Sequence, residues 1–85
     1  MSEEIIITTI YEIPGIEICI KEIISEAVEG TDVEQLIKKL EERVKEKDLD
    51  GIVGLKIVSA IEDGKVKLIG FGSGFKIIKS QWAVY

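Results

Sequence analysis

Histidine is absent from this 85-residue sequence, and cysteine occurs once, as Cys19. Without histidine, no side chain of the chain ordinarily titrates near neutral pH, so the commonest general base is missing. Cys19 therefore has no histidine partner that would activate it as a nucleophile. No pair of nucleophile and base is visible elsewhere in the sequence. We expect that the protein is not an enzyme.

Positive charge and long apolar runs are also scarce. The 11 Lys and Arg residues stand against 16 Asp and Glu, which gives a net charge of −5. An acidic domain does not suit a phosphate backbone, so we expect no nucleic-acid partner. No apolar run approaches the roughly 18 residues of a membrane helix. The start of the chain, residues 1–4, lacks the basic region of a signal peptide. These features predict a cytoplasmic protein without a membrane partner.

Asparagine is missing too, whereas isoleucine fills 17 positions and 32% of the residues are charged. This bias is typical of proteins from thermophiles. A chain of this length has room for one domain, predicted over residues 1–79 with a short tail at 80–85. A domain so small buries only about 60% of the surface of its unfolded chain, so it gains from association.

Apolar periodicity and turn signals predict the element order β-β-α-β-β. Pro14 and Gly15 mark a turn after the first strand. Thr31 and Glu34 form a capping box at the start of the helix, and Gly51 is the expected stop signal after it. The predicted ranges are 4–13 and 16–29 for the first two strands, about 31–48 for the helix, and 52–61 and 65–78 for the last two strands.

The last two strands are joined by Asp63 and Gly64, the signal for a two-residue type I′ hairpin. With that turn, paired residues have numbers that sum to 127. Gly70 then opposes Ile57, Gly72 opposes Leu55 and Gly74 opposes Val53, on the face predicted to meet the helix. The spacing of these glycines suits close packing within a strand. It does not suit a phosphate-binding loop, which leads into the first turn of a helix.

The predicted fold class is α+β, in two layers, with one helix packed on a four-stranded antiparallel sheet. One helix covers one face of such a sheet, yet the other face is apolar as well. We therefore expect a homo-oligomer that assembles through the sheet. The alternative is that the aromatic residues of this face are half-exposed or lie under the tail. The expected interface residues are Ile52, Val58, Ile69, Phe71, Phe75 and Trp82.

A metal site is a second hypothesis. If the first hairpin closes tightly, Glu12 lies opposite Glu17, and Cys19 follows on the same face. Two carboxylates beside a thiol suit a soft or borderline metal ion. The alternative is that both glutamates extend into solvent while Cys19 packs as a small apolar residue. No other cofactor is predicted.

The tail around Trp82 supplies a third hypothesis. Its apolar and aromatic residues suit an inter-subunit contact or an added strand. An aromatic ring at a subunit interface also suits stacking on a flat ligand such as a flavin.

Two segments resemble the YbjQ-like family. They are the threonine-rich strand and Ile-Pro-Gly-Ile turn within residues 7–18, and the Asp-Gly-Ile-Val-Gly-Leu stretch at 50–55 with its hairpin and closing Ser-Gly at 73–74. The resemblance implies a dodecin-like fold and a ring of subunits, commonly five. That family is often labelled heavy-metal-binding without an established function, and this chain lacks its glycine-rich insert. The hairpin at 51–78 also resembles the end of the flavin-storing dodecins.

Overall fold

The computed structural model describes residues 5–80 of the chain, with side chains up to Ile78. One helix packs on a four-stranded sheet, which confirms the predicted α+β class and the β-β-α-β-β order. The elements are β1 (Ile6–Ile7), β2 (Ile16–Glu29), α1 (Val33–Glu46), β3 (Gly51–Glu62) and β4 (Lys65–Ser80).

The first predicted hairpin is wrong. β1 spans two residues and pairs in parallel with β3, so it lies at the opposite edge from β2 in a sheet ordered β1-β3-β4-β2. The sheet is therefore mixed, although β3, β4 and β2 are antiparallel neighbours. The turn at Pro14 and Gly15 does form, but it is closed by a single bridge in which the Ile16 amide donates to the Ile13 carbonyl at 3.1 Å. After that bridge the two arms diverge to opposite edges of the sheet.

Both ends of the helix differ from the prediction. The N-cap is Asp32, whose carboxylate accepts from the amides of Glu34 at 3.0 Å and Gln35 at 3.3 Å. A carboxylate satisfies these free amides and also suits the positive end of the helix dipole, so it displaces Thr31 from the capping role. At the other end Asp48 takes a left-handed conformation, with φ 56°, and ends the helix ahead of Gly51.

The second hairpin confirms the predicted turn and half of the predicted register. Asp63 and Gly64 both have positive φ, as a type I′ turn requires. The pairing Ile57–Gly70 follows the predicted sum, but a β-bulge between Val53 and Lys56 shifts the register by one residue. Gly54 sits in this bulge with φ +65°, which glycine adopts without strain.

On the two sides of the bulge, the side chains of β3 alternate between the faces of the sheet with opposite phase. Ile52 pairs with Gly74, and it lies in the core against the helix together with Leu55. Val53 pairs with Ser73 on the other side of the sheet, so its predicted contact with the helix is wrong. The core between helix and sheet contains Ile24, Val28, Leu36, Leu40, Val44, Leu49, Ile52, Leu55 and Leu68.

Charged pairs hold the helix to β2. Arg43 binds Glu26 with a nitrogen–oxygen distance of 2.7 Å, and Lys47 binds Glu22 at 3.1 Å. The Glu26 carboxylate raises the pKa of Arg43 above its ordinary value by accepting a hydrogen bond from it and by its charge. Both partners of these pairs reach solvent, so they fix the position of the helix over β2 more than they stabilise the fold.

The helix is too short for the sheet. A helix of 14 residues is about 21 Å long, whereas a strand of 16 residues spans about 53 Å. The structure is 53 Å in its longest dimension. β2 ends at Glu29, opposite Lys67, so the hairpin continues beyond it as a two-stranded extension. We call residues 60–67 the hairpin arm.

Replacing Asp32 by Ala is expected to lower the free energy of unfolding by about 1 kcal/mol, because two amides lose their acceptor. Urea denaturation at a fixed protein concentration measures this change. Thr31→Ala is the matched control and should leave stability within about 0.5 kcal/mol of the parent. A larger loss of unfolding free energy for Thr31→Ala than for Asp32→Ala would show that Thr31 is the N-cap, as the sequence predicts.

Glycine is required more strictly at position 72 than at position 70. A Cβ at position 72 would lie 2.5 Å from Ile52 Cγ2 and 3.0 Å from the Val53 carbonyl oxygen. A Cβ at position 70 would lie 3.1 Å from the flexible ends of Leu36 and Leu40.

We expect Gly72→Ala to cost about 1–3 kcal/mol of unfolding free energy, since backbone must move to admit the methyl group. Gly70→Ala should cost less, because leucine side chains adjust more easily than backbone. The two unfolding curves, recorded in urea at one concentration, give the comparison. Equal losses of unfolding free energy would show that β3 and β4 have room for a methyl group at position 72.

Candidate functional surface

The side of the sheet away from the helix, which we call the open face, carries large apolar side chains in contact with solvent. Cross-strand pairing places Ile23 beside Ser73 and Val58 beside Ile69 on this face. The exposed fraction is 74% for Ile23 and 45% for Val58, values typical of polar surface residues. Ile20 and Phe71 are further large exposed residues of this face.

The hairpin arm is apolar on its other side too. Ile61 and Val66 are cross-strand partners on the side where the helix lies, but the helix does not reach them. Ile61 is 78% exposed, the highest value among the large hydrophobic residues that the structure describes. Ile57 is also exposed on this side, since the helix packs mainly over β2 and β4. The chain thus shows apolar surface to solvent on both sides of its sheet.

Both edges of the sheet also have unpaired backbone. β2 is an edge strand of 14 residues, and no strand within residues 5–80 pairs with its outer side. β1 pairs with β3 only at Gly51 and Ile52. Thr8 and Ile10 add hydrogen bonds to β3 as far as Leu55, and the outer edge of β3 is free beyond that residue in the described part of the chain. Such edges are templates for pairing with another strand.

The predicted interface residues therefore divide into three groups. Val58 and Phe71 are exposed on the open face, and Ile69 is half-buried there. Ile52 was wrongly assigned, because the bulge turns it into the core under the helix. Phe75 is fully buried within the chain and offers no surface to another subunit. Trp82 lies outside the described residues.

Cys19 lies in β2, half-buried, on the side of the sheet where the helix packs. Its cross-strand partner is Lys76, whose ammonium group donates to the Asp48 carbonyl at 2.9 Å. The Cys19 thiol makes a long contact of 3.8 Å to the carbonyl oxygen of Ile20. The only thiol of the chain thus shares a cross-strand pair with a lysine whose ammonium group is directed to Asp48.

The structure does not assemble the predicted metal site. Within residues 5–80, no three His, Cys, Asp or Glu side chains form a group that could hold a metal ion. Glu12 and Glu17 are both exposed beside the turn at Pro14 and Gly15. The hairpin on which the site depended ends after one bridge, which is why the three side chains are not held together.

A small pocket on the open face was not predicted. Backbone hydrogen bonds from Gly54 to the Ile10 carbonyl and from Leu55 to the Thr8 carbonyl hold residues 8–11 along β3. The ring of Tyr11 then lies against Gly54, where any Cβ would collide with it. The pocket has a volume of about 180 Å³ and is lined by Tyr11, Ile23, Gly54, Lys56, Phe71, Gly72 and Ser73.

These features define a small α+β domain with an apolar open face and a single thiol. The chain belongs to the selenium binding protein family, whose family model matches residues 1–84. A similar solved structure is the crystal structure of a DUF74-family protein of unknown function from Pediococcus pentosaceus. Its TM-score is 0.56 at 22% identity, and the match covers 86% of this chain and 97% of that one. This likeness shows the fold.

No curated protein matches the chain. Neither comparison names the YbjQ-like family, so that resemblance stays a prediction. Among the described residues there is no helix long and apolar enough to cross a membrane.

Proposed function

We propose that this chain is a non-catalytic selenium-binding protein that works as a homo-oligomer, with Cys19 as the selenium ligand. The observation that supports assembly is the apolar surface on both sides of one sheet. The selenium proposal rests on the family to which the chain belongs and on the presence of a single thiol.

Assembly would bury the apolar surface that a single chain leaves exposed to solvent. Extended apolar patches on monomeric proteins are uncommon, and they mark interaction sites. The open face and the hairpin arm point in opposite directions from the sheet, so one flat contact does not bury both. A cyclic assembly does, because each subunit then presents two different surfaces to its two neighbours. The free edges of β2 and β3 suit the same arrangement, since they lie on opposite sides of the subunit.

The chemistry of selenium favours the thiol. A thiolate adds to zero-valent selenium to form an S–Se bond, and the negative charge moves to the selenium atom without any external oxidant. Lys76 lies directly across the strand from Cys19 and would face that anion. Paired residues of antiparallel strands have Cβ atoms about 5 Å apart, so the Lys76 ammonium group would reach the added selenium by leaving the Asp48 carbonyl, to which it donates at 2.9 Å.

Charged substitutions on the apolar surfaces should weaken the assembly. We expect Ile23→Glu on the open face and Ile61→Glu on the arm each to raise the subunit dissociation constant at least tenfold, because each buries an unpaired carboxylate. Analytical ultracentrifugation over a range of concentrations measures this.

Val33→Glu is the matched control. Val33 is 46% exposed and lies on the first turn of the helix, outside the residues that form the open face and the hairpin arm. Its mass distribution should equal that of the parent chain. Unchanged association in Ile23→Glu and Ile61→Glu would contradict assembly through these surfaces.

Selenium binding should depend on Cys19. Selenodiglutathione carries selenium between two sulfur atoms, and exchange with the Cys19 thiol releases one glutathione and leaves the S–Se–S linkage on the protein. Elemental analysis after gel filtration should find one selenium atom per chain. Cys19→Ser should retain none. Equal selenium content in Cys19→Ser and in the parent would refute the proposal.

A further inference from the structure

We infer that the pocket on the open face is a binding site for a small single-ring organic anion, held by Tyr11, Phe71 and Lys56. This site is separate from Cys19, which lies on the opposite side of the sheet. It does not depend on selenium binding, but it requires that the neighbouring subunit of the proposed assembly leaves Tyr11, Lys56 and Phe71 accessible.

The pocket has a defined construction. The β-bulge and the left-handed Gly54 leave a gap in β3, and the ring of Tyr11 fills it. Residues 8–11 are fixed there by hydrogen bonds of 2.8 Å from the Gly54 amide and 3.0 Å from the Leu55 amide. The tyrosine is therefore positioned by backbone, although its own side chain is 63% exposed. A ring placed in this way and left open to solvent is available to stack on a ligand.

Lys56 gives the pocket its charge preference. It pairs with Phe71 across the strand, among the apolar side chains of the open face. The ion pairs found among the described residues use Arg43, Lys47, Lys67 and Lys76, and Lys56 is not among them. An ammonium group among aromatic and aliphatic walls favours an anion with an apolar body, because both parts of such a ligand find a partner. Ser73 adds a hydroxyl group at the same pocket.

The volume sets the size of the ligand. About 180 Å³ is below the 300–1,000 Å³ typical of pockets for drug-sized ligands. One aromatic ring with a carboxylate fits such a space, whereas a three-ring flavin would extend beyond it. The ligand class is thus a single-ring aromatic carboxylate, with its ring between Tyr11 and Phe71 and its carboxylate at Lys56.

Benzoate is the probe. In titrations of the full chain followed by NMR, benzoate should shift the aromatic signals of Tyr11 and Phe71 saturably, with a dissociation constant on the order of 1 mM, as expected for so small a ligand. Lys56→Gln should weaken binding at least fivefold, and Lys65→Gln, a lysine at the hairpin turn, should not change it. Tyr11→Leu should weaken binding, because the ring that stacks on benzoate is lost. Benzyl alcohol, which lacks the charge, should bind more weakly than benzoate.

Three results would overturn the proposal. The first is an absence of saturable shifts up to about 20 mM benzoate, well above the expected dissociation constant. The second is equal affinity in Lys56→Gln and the parent chain. The third is binding that appears only in the Ile61→Glu variant, since that would show that a second copy of the chain fills the pocket in the assembly.

Discussion

The β-bulge at Gly54 is the constraint on which the arrangement of this domain depends. It adds one residue to β3, so that Ile52 and Leu55 both reach the core under the helix while Val53 and Lys56 face the other way. Without the bulge, the alternation of β3 would be unbroken, and Ile52 would leave the core. The left-handed backbone of Gly54 also makes room for Tyr11. One irregularity thus decides the packing of the core and the shape of the opposite face.

The second constraint is the mismatch in length between helix and sheet. A single helix of four turns lies on strands more than twice as long, so the hairpin arm and the part of the open face around Ile23, Val58 and Phe71 have no cover within residues 5–80. The core is complete, since Leu36, Leu40 and Val44 are fully buried and no buried side-chain polar atom within the described residues lacks a partner. The exposed apolar side chains therefore do not contribute to the core of the single chain. Their position suits the assembly that we propose, and it explains why a small acidic domain carries so much isoleucine.

The parts of this fold that depend on local sequence could be predicted. The Asp63-Gly64 turn, the apolar stripe of the helix and the glycines that face it follow from chemistry within a few residues. The placement of β1 could not, because its pairing with β3 is a long-range choice that the Pro14-Gly15 turn signal obscured. The bulge was hidden for another reason. Gly54 reads as one more small residue in an alternating strand, and only its positive φ shows that it interrupts the alternation.

The central claim is that the two apolar surfaces are covered by further copies of the chain. Native mass spectrometry of the unaltered protein at micromolar concentration tests this most directly. The account predicts a single closed species whose mass is a whole multiple, greater than one, of the 9.5 kDa chain. A dominant species at 9.5 kDa would contradict it.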